Sequence, residues 1–99
     1  MARPTKRTAA RIDRNEAFPL PLSKEHWTAI VQSLGLSPQQ AKVTELLLRG
    51  LGDKQIAASL SITEPTLRTY LSRISARTRT RGRMELAMRV LAVSHEVLR

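Results

Sequence analysis

Apolar residues recur at helical spacing from residue 23 to the end of the chain, and cap and turn residues fill the breaks between the stretches. Trp27, Ile30, Val31 and Leu34 stand at i, i+3, i+4 and i+7, which predicts a helix over 24–34 with Ser23 as its cap and Gly35 as its end. Its stripe has two possible seats, the core of its own domain or a shared dimer surface. The next helix opens cleanly. Ser37 is the expected N-cap, Pro38 sits at N1, and Gln40 at N3 completes a capping box. Val43, Leu46 and Leu47 face the core, and Gly50 stops the helix.

Residues 52–76 organise the rest of the chain and read as a short helix, a tight turn and a second helix. Ile56, Ala57 and Leu60 line one face of the short helix, for which Asp53 is the expected cap. Ser61-Ile62-Thr63 is the turn, with Ile62 as its apolar plug. Thr63 suits an N-cap, Glu64 places negative charge at the positive end of the second helix, and Pro65 is harmless in a first turn. Leu67, Tyr70, Leu71 and Ile74 give the buried stripe, while Arg68, Thr69, Ser72 and Arg73 occupy the opposite face. A helix that buries one stripe and exposes a short, donor-rich face fits a DNA major groove.

A last helix is expected over about 83–98. At about 100° per residue, Leu86, Val90, Val93 and Val97 gather on one side, and Met84, Met88, Leu91 and His95 on nearly the opposite side. One stripe can seat the helix on its own domain. The other needs a cover, because a helix apolar on two sides is rarely left in water. A second copy of the chain is the simplest cover, and the N-terminal helix with Trp27 is the alternative.

Charge sharpens this picture. Seventeen Lys and Arg against eight Asp and Glu give the 99 residues a net charge of +9, which points to a polyanionic partner. Arg68, Arg73, Arg77, Arg79, Arg81 and Arg83 follow one another with no intervening acid, on and just after the second helix of the turn motif. A basic run is usually a solvated face, but this placement favours phosphate contact. Lys54 and Thr66 join Arg77, Arg79 and Arg81 as expected phosphate ligands, since they stand in the first turns of the two helices. Residues 1–14 carry Arg3, Lys6, Arg7, Arg11 and Arg14 without an apolar period and read as a disordered arm, either following DNA or merely solubilising. Phe18-Pro19-Leu20-Pro21-Leu22 is expected to run extended with its apolar residues against a helix. The organisation is therefore an arm and extended segment over 1–22, an amphipathic helix over 23–35 and a DNA-binding domain over 36–99.

Leu36-Ser37-Pro38, the stretch Gly50-Leu51-Gly52-Asp53-Lys54-Gln55-Ile56-Ala57, the stretch from Thr66 to Ile74, and Arg83-Met84-Glu85-Leu86 together resemble the LuxR/GerE-type helix-turn-helix domain. The resemblance covers roughly residues 36–98. It implies a four-helix DNA-binding domain of transcription regulators, here preceded by one extra helix, whose third helix enters the major groove and whose fourth commonly dimerises. It also implies base contact at Arg68, Thr69 and Ser72. The chain departs from the pattern at Thr78, Arg79 and Thr80, where Leu-Gly-Val is usual. That change removes two apolar contacts and a helix-stopping glycine while adding charge.

The expected activity is thus sequence-specific binding of double-stranded DNA by a homodimeric transcription regulator. One alternative on the same fold is the DNA-binding piece of a larger, sigma-like machine that meets RNA polymerase. The other, from a different class, is a module whose basic helix binds an acidic protein. The outward face of the second helix of the motif carries Arg68, Thr69, Ser72 and Arg73 and no apolar surface, which favours DNA. Catalysis finds no support, because His26 and His95 are isolated and no nucleophile elbow, phosphate loop or metal-ligand spacing occurs. No cofactor is expected. Absence of cysteine excludes a disulfide framework, no apolar run approaches the ~20 residues that span a bilayer, and the start lacks the apolar core of a signal peptide. The expected compartment is the cytoplasm. The 99 residues leave no room for a full receiver or inducer-binding domain, so control by concentration or by a partner protein is expected.

Overall fold

The computed structural model describes residues 19–98. The basic arm expected over residues 1–14 lies outside them. Five helices follow in order: α1 (Lys24–Leu34), α2 (Pro38–Leu48), α3 (Asp53–Leu60), α4 (Glu64–Thr78) and α5 (Arg83–Val97). The described residues contain no strand, and none of their helices is long and apolar enough to cross a membrane.

The helix starts follow from local chemistry. The Ser23 hydroxyl accepts from the His26 N–H at 3.1 Å. At α2 the Ser37 hydroxyl accepts from the Gln40 N–H at 3.1 Å, and the Gln40 side chain accepts from the Ser37 N–H at 3.0 Å. The Thr63 hydroxyl accepts from the Thr66 N–H at 3.2 Å. A side-chain cap of this kind contributes roughly 1 kcal/mol.

The start of α3 corrects the sequence expectation. Gly52 is the cap residue, and Gln55 reaches back to accept its N–H at 2.9 Å. Asp53 is instead the first helical residue, and its carboxylate pairs with Arg83 at the start of α5. A glycine has no side chain to cap with, so Gln55 closes the turn from inside the helix and leaves Asp53 free to point away.

The core runs through all five helices. Ile30, Val43, Ile56, Leu67 and Ile74 are wholly buried, with Leu51, Leu86 and Val90 nearly so. Burying each such side chain contributes about 1.5–3 kcal/mol. The α4 helix packs on α2 and α3, while α1 makes its most extensive contact with α5. The stripe of α1 therefore seats on its own domain. Trp27 is half-buried and lines a shallow hollow with Pro19, Leu20, Glu45 and Arg49, a hollow that Met88 does not line. Phe18 of the segment expected to run extended lies outside the described residues, while Leu20 and Leu22 are half-buried beside the exposed Pro19 and Pro21.

The two sides of α5 differ as the periodicity requires. Leu86 and Val90 are buried and Val93 and Val97 half-buried. Met84, Met88 and Leu91 keep 76, 58 and 63% of their surface exposed, and Leu98 extends the same stripe at 52%.

Candidate nucleic-acid interface

The turn between α3 and α4 sets the angle of the motif. Ser61 adopts a left-handed conformation at φ 57°, and the Ile62 N–H returns to the Ala57 carbonyl at 2.9 Å. A non-glycine residue there costs about 1–2 kcal/mol. Packing of Ile62 against the core offsets that cost, and this is the plug expected from the sequence.

Burial of Leu67, Ile74 and Thr78, with Tyr70 and Leu71 half-buried, turns the opposite face of α4 outward. Arg68, Thr69, Ser72 and Arg73 are all exposed on it. At about 100° per residue, Thr69 stands near the middle of this face, and Arg68 and Arg73 lie on opposite flanks. The hydroxyls along the face are not equivalent. Thr66 accepts from the Thr63 hydroxyl at 3.0 Å, and Thr69 donates to the Pro65 carbonyl at 3.3 Å. The Ser72 hydroxyl makes no hydrogen bond among the described residues.

The expected phosphate ligands fall into separate places. Lys54 is exposed in the first turn of α3, and Thr66 in the first turn of α4. Arg79 and Arg81 are exposed on the corner between α4 and α5. Arg77 is drawn aside: a Cβ built on Gly35 would lie 3.3 Å from its Nη1, so the side chain lies across the end of α1. Sequence periodicity carries no sign of that contact. Among the described residues, Arg83 is the only one of the six arginines in an ion pair, and its partner Asp53 comes from the start of α3. Met84, Met88, Leu91 and His95 lie elsewhere, on the outer side of α5. Met88, Leu91 and His95 line a shallow hollow there with Ala92 and Leu98.

The corner itself is built from polar parts. Arg79 is left-handed at φ 57°, which lets the Thr80 N–H reach the Ser75 carbonyl at 3.0 Å and close α4. Glu85 accepts the Arg81 N–H at 2.9 Å. Thr78 and Thr80 are buried where two apolar side chains were expected to be missed. The helix thus ends without a glycine, and the loop presents Arg79 and Arg81 on a backbone held at both sides.

Comparison with known proteins agrees with this architecture. The family model described as "Bacterial regulatory proteins, luxR family" matches residues 34–90. Over 53 residues the chain is 40% identical to a Cyanophora paradoxa protein named "Probable transcriptional regulator ycf29", covering 54% of this chain and 25% of that one. Over 59 residues it is 37% identical to "Probable HTH-type transcriptional regulator GfsR" of Streptomyces halstedii, covering 60% of this chain and 24% of the relative. The chain therefore spans about a quarter of the length of these relatives. No solved structure matches it. With more than half of its residues matched by the family, and the turn, the outward face of α4 and the core all in keeping, the chain belongs to the luxR family of bacterial regulatory proteins and carries its DNA-binding helix-turn-helix.

Proposed function

We propose that the protein binds double-stranded DNA sequence-specifically as a homodimer and regulates transcription in the cytoplasm. One observation carries this reading: α4 buries Leu67 and Ile74 in the domain, half-buries Tyr70 and Leu71, and turns Arg68, Thr69, Ser72 and Arg73 outward together. Arg68 reads a guanine, whose O6 and N7 match a guanidinium bidentately. Lys54, Thr66, Arg79 and Arg81 hold phosphates on either side of the groove. Arg77 joins them once its side chain leaves Gly35.

The second copy seats on Met84, Met88, Leu91 and His95. Their exposure supports this, since burying a Met or Leu gives roughly 1.5–3 kcal/mol each and both protomers contribute. Two-fold symmetry would set the recognition helices about one DNA turn, ~34 Å, apart, so the operator is an inverted repeat. The greater length of the relatives favours a second reading of the same site, as the DNA-binding part of a larger transcription assembly that meets RNA polymerase. An acidic protein partner has no such support.

Selection of duplexes from a random pool, followed by footprinting, tests the proposal. One protected inverted repeat is expected. Equal retention of all sequences would overturn specific recognition.

A further inference from the structure

We infer that Thr69 reads the 5-methyl group of a thymine in the major groove. The inference rests on the DNA-binding reading of α4 and adds which chemical group one position recognises.

The argument begins with the direction of one hydroxyl. Thr69 is exposed near the middle of the outward face, and its hydroxyl donates back to the Pro65 carbonyl one turn earlier, at 3.3 Å. Threonine in a helix commonly makes this bond to the i−4 carbonyl. Once the hydroxyl proton is directed along the helix, the other branch of the β-carbon is left to project. That branch is a methyl group. Ser72, one turn further along the same face, has no such tie among the described residues and no methyl, so the two hydroxyl residues present different chemistry to a base edge.

A major groove offers one apolar group to such a methyl, the C5-methyl of thymine. With its proton engaged, Thr69 has no donor for the acceptor atoms of guanine, adenine N7 or thymine O4, and beyond the acceptor capacity left on its oxygen the group it adds to the face is the methyl. Arg68 and Arg73 flank it with charge, so the contact between them is a small apolar point enclosed by strong polar ones. Water leaves that point when the helix seats, which is the condition for a methyl–methyl contact to discriminate.

The test uses the full chain and the duplex it selects. Each thymine in the protected site is replaced in turn by deoxyuridine, which keeps every hydrogen-bonding group and removes only the methyl. One position per half-site is expected to weaken the native protein about threefold to tenfold. Thr69→Ser, which keeps the hydroxyl and loses the methyl, should bind the thymine duplex more weakly by a similar factor and no longer distinguish thymine from deoxyuridine there. Thr69→Val, which keeps the methyl, should still distinguish them. The inference is overturned if no deoxyuridine position matters, if Thr69→Ser still discriminates, or if Thr69→Val does not. A pool that yields no preferred duplex would defeat specific binding and this inference together. A preferred duplex indifferent to deoxyuridine would defeat this inference alone.

Discussion

The hydroxyl oxygens of Thr78 and Thr80 lie 2.9 Å apart inside the corner between α4 and α5, where both side chains are buried. Thr78 also donates to the Ile74 carbonyl at 2.8 Å, so its proton is engaged and Thr80 must be the donor between the two hydroxyls. Each polar atom is thereby satisfied while the two methyls remain available for packing.

This pair should be strongly non-additive. Thr78→Val leaves the Thr80 hydroxyl buried without its acceptor and should cost about 1–3 kcal/mol of stability. Thr80→Val alone removes one donor and should cost less. The double substitution replaces both hydroxyls with methyls of similar shape and should recover most of the loss. A denaturant double-mutant cycle measures this, and additive effects would show that the hydroxyls do not depend on each other.

Arg79 separates stability from binding. It holds a left-handed conformation that glycine adopts without strain. Arg79→Gly should therefore raise stability by about 1 kcal/mol. The same variant should lower the salt slope of DNA binding by about one unit and leave sequence preference intact. Thermal melts and binding titrations across salt concentrations check the two halves, and an unchanged slope would assign the charge to solvent.

For Arg68→Ala the expected loss on the selected site is ~1–3 kcal/mol, with discrimination flattened at one base pair. Competition with random duplex decides the matter. Equal weakening on specific and random DNA would reduce Arg68 to a phosphate contact.

Met88→Glu should yield a folded monomer that binds the full operator much more weakly, because the substitution charges an exposed stripe without touching the core. Sedimentation at tens of micromolar compares it with the native chain. A native protein that sediments as a monomer there would defeat the dimer.

Ile30 is wholly buried, although it belongs to the helix that precedes the four of the family domain. Ile30→Ala should cost about 2–5 kcal/mol and lower one cooperative transition. A separate early transition for α1 would show that it is a satellite of the fold.

Helix positions and the outward face of α4 were legible because caps and periodicity are local. Ser37 with Gln40, and Thr63 with its helix, state their roles within a few residues. The two sides of α5 were legible for the same reason. What stayed hidden depends on partners distant in sequence or on hydroxyls that look polar until bonded. Asp53 read as a cap because its partner, Arg83, lies thirty positions away. Arg77 read as a free cation because nothing local places it over Gly35. Thr78 and Thr80 read as the loss of two apolar contacts, yet both are buried, and Thr78, like the buried Thr44, donates to the carbonyl four residues back. Ser94 falls on the inner side of α5 and is buried because it is small.

The pairing of α1 with α5 has a consequence during synthesis. As the nascent chain leaves the ribosome, α1 emerges before the three helices that separate it from its partner. The most extensive seat of its apolar stripe is missing until α5 has been translated, and such long-range docking is slow to form. The turn motif can close earlier from neighbouring pieces, so the DNA-facing surface takes shape before the scaffold behind it is locked. A ribosome stalled ahead of α5 would hold a helix-turn-helix with the α5-facing side of α1 uncovered, a state attractive to chaperones.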